Sequence, residues 1–397
     1  MLSTRFSVRR ALLAAVLAAG AAALTGCATG PVAGRSDDGI AVDASQPVRV
    51  ALLVPYGSGD PGRDVIARGL ENAARLAQAD LRNATIDLAV YPTAGSSGGG
   101  AAAAQQAVAE GAKIIVGPLF STETAGVQPV AASAGLTVIS FSNNPSVAGG
   151  NVYILGTSFE NTADRLVSFG LANGMRNFGV VYPAGLEGET ARDAVAAVVS
   201  ARGATMVASQ PYNLSVEGIQ AAAGPAASAL LSGGANAVIL TDGPTGGLGF
   251  ISEALRNNGL SPAQAQFMGM QQWDASAEAL ALPSLQGGVF AAPDPGLVAA
   301  FEGRYQTAYG EAPHELAGLA FDGVHAVGAM IAEARARGGS PFSSARLTEP
   351  SGFAGVNGPF RFGPNGRSQR NLAILEARNG QAVVIERAAR SFDAVGY

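Results

Sequence analysis

Gly111-Ala112-Lys113-Ile114-Ile115-Val116, with Gly117-Pro118 after it, recurs as Gly234-Ala235-Asn236-Ala237-Val238-Ile239, with Gly243-Pro244 shortly after. Each copy reads as a helix end, a short apolar strand and a Gly/Pro loop. Other runs of the same kind are Val48–Val54, Ile86–Tyr91, Leu136–Phe141, Phe178–Tyr182, Ala204–Ala208 and Val289–Ala291. Most are continuously apolar rather than alternating, as strands covered on both faces of a parallel sheet must be. Between them stand patterns such as Val65/Ile66, Leu70, Ala73, Leu76/Ala77 and Leu81, spaced for one helix face. Strand followed by helix, repeated, gives an α/β class with right-handed crossovers. A barrel and a pair of doubly wound sheets both accommodate that alternation. The echo decides between them: two halves of one plan predict two doubly wound lobes with parallel sheets, joined by a hinge, with a ligand cleft beyond the strand C-termini. Lobe one is expected over residues 48–161 and 273–345, lobe two over 162–272 and 346–397. The chain then crosses the hinge three times.

Length and composition agree with that division. A chain of 397 residues exceeds the ~250–300 at which single cores stop growing. It is 48% apolar and only 14% charged, against about 25% on average, which excludes a disordered assembly. Its 53 glycines follow no period of three, so it is not collagen-like. The formal charge is −5, and loss of Arg5, Arg9 and Arg10 with a cleaved leader would take it to −8. That balance argues against nucleic-acid binding. Two histidines and one cysteine leave almost nothing for a transition-metal site, and no cofactor is expected.

The leader has its own signature. Arg5, Arg9 and Arg10 precede an apolar run, Ala11–Ala23, too short for a stable membrane span. It ends at Leu24-Thr25-Gly26-Cys27, which resembles a bacterial lipobox. The resemblance implies a signal peptide over residues 1–26 and acylation of Cys27. Residues 27–47, rich in Gly, Ser, Asp and Ala, read as a flexible tether. Ala28 after the cysteine implies sorting to an outer membrane, facing the periplasm.

Catalytic motifs are present by letters only. Gly57-Ser58-Gly59-Asp60-Pro61-Gly62 is G-x-G-x-x-G between a strand and a helix, but Pro61 has no N–H for a pyrophosphate. No acid closes the second strand, Val90-Tyr91-Pro92, so the loop is expected simply to open a helix. Gly95-Ser96-Ser97-Gly98-Gly99 matches G-x-S-x-G inside a permissive Gly/Ser/Ala run. Its base would have to be His314 or His325, both in helical patterns. Glu187/Glu189 and Asp37/Asp38 read as solvated loop charge. No catalytic constellation is predicted, and the protein is expected not to be an enzyme.

The polar loops after strands say more. Phe120-Ser121-Thr122-Glu123-Thr124 and Ser142-Asn143-Asn144-Pro145 are dense in hydroxyl and amide groups and precede helices. Free N–H groups at a helix start could seat a carboxylate, and the same residues could equally be ordinary caps.

These loops, with Val50–Tyr56, Gly188-Glu189…Gly203-Ala204, Gln266–Gly269 and Phe353-Ala354-Gly355…Phe360–Gly366, resemble type I periplasmic binding proteins of the leucine/isoleucine/valine-binding class. The resemblance runs from Val48 to the end. It implies a receptor for an amino-acid-like solute, serving an ABC permease. Its ligand residues fall on Ser58, Phe120, Ser121, Thr122, Ser142, Asn143, Asn144, Glu187 and Asp242. Among them Ser121 would receive the carboxylate, and Ser142 and Asn144 would meet the ammonium. The class tyrosine before Gly188 is Glu187, and the acid that grips the ammonium falls on Gly246, with Asp242 its nearest substitute. Ala51–Pro55, Val116–Leu119 and the lipobox also resemble the penicillin-binding protein activator lipoproteins, which work by touching a peptidoglycan synthase. Only a tether of about twenty residues stands where those proteins carry a helical-repeat domain.

Overall fold

The computed structural model describes residue 40 and residues 42–392; the expected signal peptide and Cys27 lie outside the described residues. The first lobe is built on five parallel strands: β1 (Val48–Val54), β2 (Ile86–Pro92), β3 (Ile114–Val116), β4 (Val138–Ser140) and β5 (Val152–Ile154). Their order is β2-β1-β3-β4-β5. Along β1, Val50, Leu52 and Val54 enter one core layer while Ala51 and Leu53 enter the other, all without exposed surface. Each of the larger side chains contributes about 1.5–3 kcal/mol by leaving water, which is why the run is apolar throughout.

Helices α1 (Pro61–Asp80), α2 (Ser97–Ala109) and α3 (Ser121–Ser133) connect these strands. The G-x-G-x-x-G stretch is a helix opening, as expected: Asp60 caps α1 by accepting from the Gly62 N–H, and Pro61 takes the first helical position. Ser96 does the same for α2 through the Gly99 N–H. Gly117, with φ +89°, closes β3; a Cβ there would overlap the Leu53 carbonyl oxygen.

The second lobe follows the same plan. Its elements are α4 (Phe159–Ala172), β6 (Asn177–Pro183), α5 (Leu186–Ala201), β7 (Thr205–Tyr212), α6 (Val216–Ser232), β8 (Ala237–Leu240), α7 (Leu248–Asn257), β9 (Gln266–Gly269), α8 (Ala277–Ala281) and β10 (Val289–Ala292). The chain then runs through α9 (Pro295–Tyr309), α10 (Ala317–Arg337), α11 (Ser344–Leu347) and the hairpin β11 (Phe360–Phe362) with β12 (Ser368–Arg370). It finishes on β13 (Ala373–Arg378) and β14 (Gln381–Glu386).

The second sheet has the order β14-β13-β10-β9-β8-β6-β7. Its five parallel strands, read as β7-β6-β8-β9-β10, repeat the order of the first sheet, and the two strands of the internal echo, β3 and β8, are the third of each set. β7 lies at an edge, where Pro211 breaks no ladder. β13 and β14 extend the sheet in the antiparallel sense, an addition to the all-parallel expectation.

The expected lobe boundaries need correcting. Residues 273–292 belong to the second lobe, because Val289 pairs with Met268 of β9 and with Glu376 of β13. Leu347, Phe360 and Phe362 pack into the first lobe's core, so residues 344–370 lie there, while β13 and β14 return to the second sheet. Helices α9 and α10 cover the first sheet, α10 packing along α1. The crossings between lobes are therefore at 155–158, 293–294 and 371–372. An apolar strand carries no label for its partner, and Val289–Ala292 could have served either sheet.

Candidate functional site

A cleft of about 870 Å³ lies between the lobes, and much of its wall comes from segments at or just past the ends of parallel strands. Leu119 and Phe120 follow β3, Phe141 and Asn143 follow β4, and Gly156 and Thr157 follow β5. From the other lobe come Pro183 at the end of β6 and Glu187 after it, Thr241–Gly246 after β8, Met270–Gln272 after β9 and Pro293 after β10. This is the position at which doubly wound sheets bind ligands.

The wall has one sign of charge. Glu187, Asp242 and Glu315 line it, and no arginine, lysine or histidine does among the described residues. Four helices start at or beside it: α3, α5 and α10 contribute Phe120, Glu187 with Gly188, and Leu316 with Leu319, and α7 begins just past the lining Gly246; their N-cap residues are Phe120, Gly185, Leu316 and Gly247. In none of these four does the N-cap residue's own side chain accept from the first turn, whereas Asp60, Ser96, Ser158, Ser215 and Asp294 do so for α1, α2, α4, α6 and α9; Glu123, Asp242 and His314 instead accept the N–H groups of Phe120, Gly247 and Leu316. The other first-turn N–H groups stand at the positive end of the helix dipole. The cleft thus combines acidic side chains with anion-attracting main chain, and Phe120, Phe141, Phe159, Leu316 and Leu319 add an apolar surface.

Asp242 organises the second-lobe side. Its Oδ2 accepts from the Tyr212 hydroxyl and the Gly247 N–H, both at 2.6 Å, and its Oδ1 accepts from the Gly243 N–H at 2.8 Å. Burial, then the hydrogen bond to this carboxylate, pushes the Tyr212 phenol well above its usual range, so Tyr212 stays a donor. A Cβ at Gly246 would overlap Asp242 Oδ1. The space that a side chain at 246 would need is filled by the carboxylate from 242. Beside it, Thr241 is 4% exposed, lines the cleft, and its Oγ1 has no partner among the described residues. A buried hydroxyl without a partner costs about 1–3 kcal/mol, a cost that a polar ligand atom would relieve.

Glu123 holds the first-lobe side. It has no exposed surface; Oε2 accepts from the Phe120 N–H at 2.9 Å and Oε1 meets Thr93 Oγ1, which also donates toward the Val54 carbonyl at 3.0 Å. The Thr93 hydroxyl has one proton for two acceptors. A protonated Glu123 resolves the conflict by donating to Thr93, which then donates to Val54. Burial indeed raises the Glu123 carboxyl above its usual value of 4.5. A folded-state value raised in this way stabilises the fold below pH 4.5, and the contribution is lost as pH rises through the raised value. Glu123→Gln keeps the same chain of donors without a charge. It is expected to unfold within about 1 kcal/mol of wild type at pH 7, and the balance should move in the variant's favour between pH 4.5 and 7. Chemical denaturation across that range checks both; a variant that loses ground as pH rises contradicts the assignment.

The sequence-predicted residues divide into two groups. Phe120, Asn143, Glu187 and Asp242 line the cleft. Ser58, Ser121, Thr122, Ser142 and Asn144 do not. Ser58 accepts from the Asp60 N–H in the loop before α1. Ser142 is buried, with its hydroxyl on the Asn144 N–H and its carbonyl on the Gly156 N–H. Asn144 caps the short turn Pro145–Val147 through the Ser146 N–H. For these last two the ordinary capping and turn reading holds. Ser121 and Thr122 occupy the first turn of α3 beside the lining Phe120. Glu187 and Glu189, read as loop charge, instead open α5. Sequence reasoning missed Thr241, Tyr212 and Glu315. A threonine ending an apolar strand at a lobe's third β-position was the available signal for the first; nothing marked the other two.

His325 sits in α10 stacked on Phe321, and His314 accepts the Leu316 N–H, so neither stands with a serine. Among the described residues no group of histidine, cysteine or acidic side chains could hold a metal, and no helix is long and apolar enough to cross a membrane.

A periplasmic binding protein family model matches residues 47–382. No curated protein matches the chain. Among solved structures, a branched-chain amino acid ABC transporter periplasmic ligand-binding protein from Burkholderia xenovorans is 15% identical with a TM-score of 0.65, covering 86% of this chain and 94% of its own. An ABC transporter substrate-binding protein from Desulfitobacterium hafniense, in complex with Leu, is 18% identical with a TM-score of 0.61, covering 86% and 100%. A solute-binding protein of an ABC transporter from Rhodopseudomonas palustris, in complex with 3,4-dihydroxybenzoic acid, is 17% identical with a TM-score of 0.57, covering 88% and 98%. At these identities the likeness is one of fold.

Proposed function

The chain belongs to the periplasmic binding proteins, and from that premise we propose that it is an envelope receptor, lipid-anchored through Cys27 to the outer membrane, for an amino-acid-like solute carried by an ABC-type permease. One observation carries the reading: among the described residues the inter-lobe cleft is lined by Glu187, Asp242 and Glu315 with no cationic side chain, while the starts of α3, α5 and α10 face it. That combination suits a zwitterion or a cation and disfavours a simple anion. The ammonium end goes to the acidic side, with Asp242 in the role that the class assigns to the position of Gly246. The carboxylate goes to the first-lobe wall at Phe120, where α3 starts and beside which the class would place it on Ser121. Closure of the two lobes around the solute is hinge motion about the three crossings.

Thermal unfolding against the twenty amino acids, short peptides, muropeptide fragments and 3,4-dihydroxybenzoate tests this. A ligand at 100 times its Kd adds about 2.7 kcal/mol of stability, which is readily seen. One class of free amino acids or peptides should raise the midpoint, and the benzoate, lacking an ammonium, should not. A shift with the benzoate alone would overturn the proposal. A flat response would move the reading to contact with a peptidoglycan synthase. That second reading is favoured by Leu186, Leu214, Val216 and Phe250, exposed apolar side chains that all follow the C-terminal ends of β6, β7 and β8.

A further inference from the structure

A second cavity, of about 1000 Å³, lies behind the hinge. Leu372 lines both cavities, and α4 divides them: Phe159 and Thr162 face the cleft, while Asn161, Arg165 and Ser168 face the rear. The rear wall draws on both lobes, with Arg361 and Arg367 from the β11–β12 hairpin region opposite Arg165, Arg202 and Arg387.

Its charge is the reverse of the cleft's. Three arginines are matched by carboxylates on the same wall: Arg165 with Glu386 at 2.8 Å, Arg202 with Asp164 at 2.8 Å, and Arg367 with Glu160 at 3.5 Å. Arg370 is matched from behind by buried Asp322. Arg387 is 74% exposed and reaches only Asp294, at 3.4 Å, which is already the cap of α9. Arg361 has no carboxylate partner among the described residues. Its guanidinium lies 4.6 Å over the Phe392 ring and donates to Gln369 Oε1 and the Pro350 carbonyl. Two cations without full compensation, in a chain of net charge −5, stand at a cavity that also carries Phe169, Phe362 and Phe392.

We propose that this rear cavity is a second binding site, for an amphipathic organic anion: a phosphate or carboxylate on an apolar body, its charge between Arg361 and Arg387 and its body on the phenylalanines. A guanidinium already held in place by stacking loses little freedom on binding such a group, and its fork matches phosphate and carboxylate geometry. A chemistry opposite to that of the cleft makes the two sites separable.

The test is thermal unfolding of the purified protein in n-octyl phosphate, inorganic phosphate or octanol at equal concentrations. Octyl phosphate should raise the midpoint saturably; inorganic phosphate and octanol should each leave it nearly unchanged. The double variant Arg361→Gln/Arg387→Gln should weaken octyl phosphate at least tenfold. If that variant is itself less stable without ligand, Arg387→Gln alone carries the test, because its side chain is mostly in solvent. Co-sedimentation with phosphatidylglycerol vesicles, lost in the same variants, would identify the anion as a membrane headgroup; response to octyl phosphate without vesicle binding would identify a soluble solute. An equal octyl phosphate response in wild type and both variants, or an equal response to octanol, overturns the proposal.

Discussion

Arg370→Met is expected to lower the unfolding free energy by about 3–5 kcal/mol, the usual cost of leaving one member of a buried ion pair alone. Arg370 and Asp322 are 1% and 0% exposed and meet at 2.7 Å. The arginine also donates to the Gly358 carbonyl at 2.9 Å and lies 3.5 Å from the Leu155 carbonyl, while Asp322 accepts the Val356 N–H at 2.7 Å. The Arg370 main chain exchanges two hydrogen bonds with the side chain of Asn161 on α4. One residue therefore ties α10, the loop before β11, the first crossing and the start of the second lobe together. Asp322→Leu/Arg370→Met should recover part of the loss, because no unpaired charge remains, but Gly358, Leu155 and Val356 still lack partners. Denaturant unfolding of both variants checks this. A single variant within 1 kcal/mol of wild type would mean that water reaches the pair.

Asp242→Asn should weaken solute binding by about ten- to a hundredfold, corresponding to a charge-assisted hydrogen bond of ~1.5–3 kcal/mol. It should also cost some stability. An asparagine can keep its oxygen toward Tyr212 and Gly247, but then its NH₂ faces the Gly243 N–H, two donors together. Tyr212→Phe separates the two effects. It removes one of three donors to the carboxylate and leaves the charge, so it should cost stability while changing affinity much less than Asp242→Asn. Comparable losses of affinity in the two variants would mean that Asp242 only shapes the loop.

How far the sequence could be read follows from what each signal depends on. Val48–Val54 was legible to the residue because a strand buried on both faces must be apolar throughout, and that is a local property. The repeat of β3 in β8 was legible for the same reason, and it carried the two-lobe plan. The placement of Val289–Ala292 was not legible, since sheet partners are chosen by crossings that no local pattern records. β11 to β14 are short and carry Arg361, Gln369, Arg370 and Glu376, so their alternation is too brief and too charged to stand out. At the cleft, Glu187 and Asp242 were reached through the class resemblance, Glu187 at the position of its tyrosine and Asp242 as the acid nearest Gly246. Ser142 and Asn144 follow a strand and spend their polar groups on local turns, which composition alone does not distinguish from a ligand seat. Thr241 escaped because its distinction is an absent partner, a fact of packing.

The central claim is that the cleft's acidic side receives an ammonium. The most direct test is calorimetric titration of the amino acid giving the largest thermal shift, and of its N-acetyl derivative, into wild type and Asp242→Asn. Trp273, the only tryptophan, lies between the cleft residues Gln272 and Ala275 and offers a parallel fluorescence signal. Acetylation should weaken binding to wild type at least tenfold and weaken binding to Asp242→Asn far less, because coupled groups are not additive. Equal losses in the two proteins would contradict the account and place the ammonium away from Asp242.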